Sequence, residues 1–206
     1  EPEIKVTNNI TIRVPPIETL VLGGDGIHTF GFTARCTVGF WVRSRLNSTS
    51  YIMTAGHCSK KGPFNPDGGF ISKQNDRIGV IPSVRNTDDT ENPELQIIGT
   101  IDLDAVGSIV CKSGYFTHVD CGMVLSLNDK VVSGGIEYSG IAKIDHIGCE
   151  GDSGSPVFPV APEQLPGIFI TGMLTGGSEA EGFCAVVPIE MLITDDIELL
   201  TINNLI

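Results

Sequence analysis

The 206-residue sequence lacks both a long apolar run and a basic stretch. No apolar segment approaches the roughly 20 residues that a membrane-spanning helix needs. Lysine and arginine number 13 against 25 aspartates and glutamates, and the net charge of −12 argues against nucleic acid or anionic membranes as partners. The charged start, residues 1–3, is not a signal peptide, and we expect a mature chain.

Sustained helical periodicity is missing as well. In its place stand short β-branched runs at residues 37–42, 77–81 and 168–171, separated by turn residues. Glycine is abundant, and a chain of this length buries a real core as one domain or as two small lobes. The sequence therefore predicts an all-β protein, built as a sandwich or as a pair of barrels.

The six cysteines do not form the paired C-x-x-C clusters of a zinc site. Three disulfides are therefore expected rather than a metal centre. Asn9 and Asn47 each begin an N-x-S/T triplet, which predicts N-glycosylation, although such triplets also arise by chance. Disulfides and glycosylation both indicate a secreted, extracellular protein.

Residues 151–156, with the sequence GDSGSP, are the first candidate for catalysis. Glycines on both sides of Asp152 and Ser153 permit a tight turn in which a serine hydroxyl stands clear beside converging peptide N–H groups. An acyl-transfer nucleophile needs this geometry. Clusters of glycine, serine and aspartate are also ordinary turn chemistry, so a turn without function is the alternative.

The second candidate is the histidine of residues 54–58, TAGHC, which follow the β-rich run at 51–53. Serine is a poor nucleophile until a neutral imidazole accepts its proton, so His57 and Ser153 must meet in space. Activity should fall when the pH is low enough to protonate the imidazole.

These motifs resemble the chymotrypsin-fold serine proteases, and within them the streptogrisin and α-lytic protease branch. The matching segments occur in the family's order at residues 23–58, 106–114, 121–122 and 151–156. The resemblance implies two packed antiparallel six-stranded β-barrels with a short C-terminal helix and the active site between the barrels. It also implies the disulfides Cys36–Cys58, Cys111–Cys121 and Cys149–Cys184.

On this resemblance the chain divides into an N-terminal arm at residues 1–19, a first barrel at 20–92 and a second barrel at 93–206. The family pattern assigns the carboxylate that orients His57 to Asp76, which follows Asn75 and opens an apolar strand. The other candidates for this role between the histidine and serine motifs are Asp67, Asp88, Asp89, Glu94, Asp102 and Asp104. The segment between Cys58 and Asp76 is shorter than in the family.

The implied activity is that of a secreted serine endopeptidase that works through an acyl-enzyme intermediate without a cofactor or a metal. Ser153 attacks the peptide carbonyl, and His57 serves as general base and then as general acid. The backbone N–H groups of Gly151 and Ser153 form the oxyanion hole. Lys112 stands where the bacterial branch has an arginine, and we expect it to pair with the inward-pointing Asp152.

The expected substrate-binding residues are Ile147, Glu150, Thr175, Gly176 and Gly177. Thr175 keeps the hydroxyl of a family serine that supports the triad aspartate, and residues 175–178 pair with the substrate as an added strand. Ile147 at the base of the pocket predicts apolar P1 residues, because a basic side chain would find no counter-charge there. Acidic-P1 specificity through His146 is the alternative, although Leu174 stands where glutamate-specific relatives carry a histidine.

The expected partners are polypeptide substrates, and a propeptide or a protein inhibitor is left open. A monomer is expected. Two other functions compete with the protease: a catalytically silent homologue that acts as a binding module, and a non-protease hydrolase. The second of these requires an alternating βαβ pattern that the chain lacks.

Overall fold

The computed structural model describes residues 3–6, 10–13, 19–28, 35–58, 67–133, 136–145 and 147–205. Strands dominate this part of the chain. They are β1 (Glu3–Val6), β2 (Ile10–Arg13), β3 (Thr19–Gly23), β4 (Gly26–His28), β5 (Arg35–Thr37), β6 (Phe40–Ser44), β7 (Ser50–Ala55), β8 (Gly68–Ser72), β9 (Ile78–Arg85), β10 (Glu94–Thr100), β11 (Ile109–Gly114), β12 (His118–Ser133), β13 (Ile136–Asp145), β14 (Pro156–Phe158), β15 (Gly167–Ile170), β16 (Gly172–Ser178), β17 (Phe183–Pro188) and β18 (Ile197–Leu199). A short helix, α1 (Ile189–Leu192), and two 3₁₀ turns, Gly56–Cys58 and Pro162–Gln164, complete the described elements.

Six strands of the C-terminal half close into a ring, in the order β11-β12-β13-β17-β16-β14. Every neighbouring pair within it is antiparallel. The ring encloses fully buried apolar side chains, among them Val124, Ile144, Leu174 and Val186. This ring is the second of the two barrels that the sequence predicts.

The N-terminal half is also β-structure, as predicted, but its described strands form the two-stranded sheets β1-β2 and β4-β5 and two four-stranded sheets instead of a ring. The orders of the four-stranded sheets are β15-β10-β9-β3 and β18-β6-β7-β8. The edge strands β15 and β18 come from the C-terminal half of the chain, and β15 pairs in parallel with β10. The division into lobes at residues 92 and 93 stays a prediction, since β9 and β10 on its two sides pair with each other.

The C-terminal tail closes the apolar core of the first lobe. Leu199 and Leu200 are buried, and the Leu200 N–H donates to the carbonyl of the fully buried Trp41 at 2.9 Å. The Trp41 indole donates in turn to the carbonyl of Val21 at 2.7 Å. The short C-terminal helix that the family resemblance implies is present as α1.

All three predicted disulfides are formed: Cys36–Cys58, Cys111–Cys121 and Cys149–Cys184. The chain-entropy account assigns about 2–4 kcal/mol of stability to each. Asn47 lies exposed in the turn after β6, whereas Asn9 and His146 fall outside the described residues. Among the described residues, no helix has the length and apolarity to cross a membrane.

Candidate active site

His57 lies in the 3₁₀ turn that follows strand β7, and its imidazole meets the carboxylate of Asp67. His57 Nδ1 is 2.7 Å from Asp67 Oδ2, and the His57 backbone N–H donates to Oδ1 at 3.0 Å. The Asp67 side chain is 2% exposed, whereas that of His57 is 43% exposed. A buried carboxylate on Nδ1 fixes the tautomer and orientation of the ring and leaves Nε2 for chemistry in the cleft.

The structure corrects the prediction that Asp76 orients His57. Asp76 is exposed in the turn before β9, where the Asn75 side chain accepts a hydrogen bond from the Arg77 N–H at 3.0 Å. Residues 75 and 76 therefore form part of a turn and not of the catalytic group. Asp67 takes the predicted role because β8 runs antiparallel to β7, with Gly68 opposite Ala55.

Two glycines that follow Asp67 are the signal that could have identified it. A Cβ placed on Gly69 would lie 3.1 Å from Gly56 Cα and 3.2 Å from the Ala55 carbonyl oxygen. Strand β8 reaches the histidine turn this closely because no side chain intervenes. The Gly56 N–H donates to the Asp67 carbonyl at 2.8 Å, which fixes the approach.

Thr175 joins the histidine side of the site to the serine side. Its hydroxyl hydrogen-bonds Asp67 Oδ2, which is the support that the sequence predicts for the triad carboxylate. Its carbonyl accepts a hydrogen bond from the Ser153 hydroxyl at 3.4 Å. His57, Asp67 and Ser153 therefore gather around one residue of β16.

Tyr138, on β13, is a neighbour of this group that sequence reasoning missed. It is 5% exposed. Burial, and next the negative charge of Asp67, raise the pKa of its phenol above the ordinary value.

The loop that carries Ser153 forms the tight turn expected of it. Gly151 and Gly154 have φ of +82° and +99°, values that L-residues with side chains rarely adopt. The Asp152 N–H donates to the Cys149 carbonyl at 3.1 Å, and the Gly154 N–H donates to the Leu174 carbonyl at 2.7 Å. The first bond closes the turn within the loop, and the second holds the loop against β16.

The predicted ion pair between Lys112 and Asp152 is confirmed. Lys112 Nζ lies 2.8 Å from Asp152 Oδ2, and both side chains are fully buried. Such a buried pair requires further hydrogen bonds to offset its desolvation. Backbone N–H groups of residues 116 and 117 supply two of them, at 2.8 and 3.3 Å.

A cleft of about 380 Å³ adjoins Ser153. Its lining residues are Cys149, Glu150, Gly151, Ser153, Gly176, Gly177 and Glu179. Three of the predicted substrate-binding residues are therefore in place, but Ile147 is 8% exposed and packs in the buried apolar cluster of the ring, outside the lining. Glu179, which sequence reasoning missed, gives the cleft a second carboxylate beside that of Glu150.

Among the described residues, one group has the composition of a metal site: His57 with Cys36 and Cys58. The two sulfurs are joined in a disulfide and are not thiolate ligands. The chemistry that the site supports is acyl transfer by a serine, with a histidine and a buried aspartate behind it.

Comparison with known proteins gives no matching family model. Streptogrisin-C of Streptomyces griseus is 28% identical over 172 residues, which are 77% of this chain and 35% of that protein. The chain therefore spans about a third of the length of this curated relative.

Several solved protease structures are similar to this chain in fold. Protease A of Thermobifida fusca superposes with a TM-score of 0.72 at 25% identity, over 89% of this chain and 100% of that one. A chymotrypsin of Cellulomonas bogoriensis gives 0.69 at 26% identity, also over 89% and 100%. A glutamic-acid-specific serine protease, described as binding substrate through a histidine triad, gives 0.66 at 25% identity, over 82% and 94%.

Proposed function

We propose that this chain, a relative of the chymotrypsin-fold serine proteases on the streptogrisin and α-lytic protease branch, is an endopeptidase with Ser153 as its nucleophile. The observation that carries the proposal is the contact series from His57 through Asp67 and Thr175 to Ser153. It brings the three residue types that acyl transfer requires, from both halves of the chain, to the same residue of β16.

In this mechanism Ser153 attacks the carbonyl carbon of the scissile peptide bond while His57 Nε2 takes the hydroxyl proton. The imidazolium then protonates the leaving amine, and a water molecule hydrolyses the acyl-enzyme by the same route. Asp67 stabilises the imidazolium from the Nδ1 side. The N–H groups of Gly151 and Ser153 bind the oxyanion. Removal of one such donor typically raises the activation free energy by about 2.7–4 kcal/mol.

For substrate preference, we propose apolar P1 residues. The cleft lining joins the buried apolar cluster of the ring at Cys149, and the carboxylates of Glu150 and Glu179 are exposed in the lining. An acidic P1 side chain would approach two negative charges, which is unfavourable. This disfavours the acidic-P1 alternative, and among the described lining residues there is no histidine that would favour it.

Secretion and N-glycosylation at Asn9 and Asn47 belong to the same proposal. Three disulfides fit an oxidising compartment, and Asn47 is exposed in a turn, where an oligosaccharide would meet no obstacle. A mass shift on treatment with a glycosidase specific for N-linked sugars tests the second point.

The test of the function is reaction with a fluorophosphonate probe, followed by cleavage-site mapping in a denatured protein substrate. The wild-type chain should be labelled at Ser153 and should cut mainly after apolar residues, whereas Ser153→Ala should do neither. Absence of labelling in a correctly folded wild-type chain would favour the silent homologue that acts as a binding module. Cleavage mainly after glutamate or arginine would overturn the proposed pocket.

A further inference from the structure

The turn at residues 115–117, between β11 and β12, packs against the loop that carries Ser153. A Cβ placed on Gly151 would come within 2.7 Å of the Phe116 ring. A Cβ placed on Gly148 would lie 2.7 Å from Thr117 Cγ2. Glycine at these two positions lets the turn lie directly on both ends of residues 148–151.

The same turn provides most of the hydrogen bonds to the buried Asp152 carboxylate. Oδ1 accepts from the Phe116 N–H at 2.8 Å, and Oδ2 accepts from the Thr117 N–H at 3.3 Å and from the Thr117 hydroxyl at 2.6 Å. Lys112 Nζ contacts that hydroxyl as well as the carboxylate. The Thr117 hydroxyl therefore accepts a hydrogen bond from the ammonium group and donates one to the carboxylate.

The turn is also tied to the first lobe through Thr37. The Tyr115 N–H donates to the Thr37 hydroxyl at 3.2 Å, and the Thr37 N–H donates to the Ser153 carbonyl at 2.8 Å. One residue of β5 thus binds the turn on one side and the nucleophile's own backbone on the other. Movement of the turn would be transmitted to Ser153 by two routes.

We propose that Thr117 is a positioning residue for the oxyanion hole, an inference that rests on the proposed function. Asp152 lies between the two residues whose N–H groups face the oxyanion, so the orientation of its carboxylate sets the orientation of both peptide units. Hydrogen bonds to a buried charge are strong and directional. Loss of the Thr117 hydroxyl leaves Asp152 with fewer donors and frees the loop to turn its N–H groups away from the substrate.

The test is a comparison of Thr117→Val with Thr117→Ser. Valine keeps the shape of threonine and removes the hydroxyl, and Thr117 lies in an exposed turn and not in the apolar core. In Thr117→Val, kcat on a peptide anilide should fall about ten- to hundredfold, as expected for a hydrogen bond to a buried charge, with KM changed less than about threefold. Thr117→Ser should retain kcat within about threefold.

Inhibitor binding distinguishes a positioning role of Thr117 from a general loss of order in the loop that carries Ser153. A peptide boronate, which forms a tetrahedral adduct with the nucleophile and fills the oxyanion hole, should bind Thr117→Val more weakly by about the factor seen in kcat. The matching non-reactive peptide amide should bind both proteins equally. Thr100→Val, at an exposed threonine that ends β10, is the control and should change neither quantity.

The outcomes distinguish this inference from the proposed function. If wild type neither cleaves peptides nor reacts with fluorophosphonate, the proposed function fails. If wild type is active and Thr117→Val has the same kcat, or if the serine and valine variants lose activity equally, only the positioning role fails. Failure of Thr117→Val and Thr117→Ala to fold would assign the residue to stability and would also overturn it.

Discussion

Asp67 shows at the scale of a single residue how the surroundings of a carboxylate decide its role. It is buried, it binds both the Nδ1 atom and the backbone N–H of His57, and it accepts the hydroxyl of Thr175. Asp76, which has the more family-like sequence around it, is exposed in a turn. A carboxylate stabilises an imidazolium strongly only when it is held in place and shielded from water.

We therefore predict that Asp67→Asn lowers kcat by about 10⁴-fold, because an amide at this place would hold the imidazole in the wrong tautomer. Asp76→Asn is the matched control, since it makes the same change at the competing aspartate. Its kcat should equal that of wild type. Steady-state kinetics on one chromogenic peptide, with the folded state checked by circular dichroism, measure both variants. A large loss in Asp76→Asn together with a small one in Asp67→Asn would restore the sequence-based assignment.

The residues of the site were predictable to different degrees. Ser153 and His57 stand in short motifs whose glycines and neighbours reflect local turn geometry. Asp67 depends on how β8 pairs with β7, and that register is a long-range property which the eight residues after Cys58 do not specify. Thr117 and Tyr138 carry no local pattern at all, because only the fold brings them close to Asp152 and Asp67.

Among the elements, β18 shows how a short segment at the C-terminal end supports the lobe that carries His57. It pairs with β6, which in turn pairs with β7, the strand that leads into the histidine turn. Leu199 of β18 is 6% exposed and belongs to the main apolar cluster. Its neighbour Glu198 forms an ion pair with Arg43 at 2.6 Å, with both side chains partly exposed.

Burial and the ion pair make separable contributions to the docking of β18. Leu199→Ala should lower the free energy of unfolding by about 2–5 kcal/mol, because it leaves a cavity in the core. Glu198→Gln removes the charge of the adjacent residue and should cost at most about 1 kcal/mol, as partly exposed pairs do. Urea unfolding monitored by Trp41 fluorescence measures both. Equal losses would mean that the ion pair contributes as much as the apolar contact to holding the strand.

The pairing of strands is the feature of these elements that the sequence predicts least well. The ring of the second lobe was expected only from the family resemblance, since pairings such as β11 with β14 and β13 with β17 join strands that are not consecutive. The parallel pairing of β15 with β10 joins segments some seventy residues apart. Local periodicity identifies both segments as strands, but it cannot identify the strand with which each one pairs. That pairing depends on the packing of the whole core.

For the molecule as a whole, the excess of acidic residues reaches the substrate cleft. The net charge is −12, and Glu150 and Glu179 place two exposed carboxylates beside Ser153. A cleft lined by one sign of charge concentrates oppositely charged substrates and repels those of like charge. Glu150 and Glu179 are both exposed in the cleft lining, so their charges act on any charged group of a bound substrate and not on the P1 side chain alone.

We accordingly predict a preference for substrates that carry positive charge outside P1. Among peptides with the same apolar P1 residue, one with flanking lysines should be cleaved about tenfold more efficiently than one with flanking glutamates at low salt. The ratio should approach one near 1 M salt, where the screening length falls to about 3 Å. Glu150→Gln and Glu179→Gln should each lower the low-salt ratio, whereas Glu163→Gln, at an exposed glutamate outside the cleft lining, should leave it unchanged. A ratio that neither salt nor the two cleft variants alter would show that the field plays no part in substrate choice, and that the pocket contacts alone determine it.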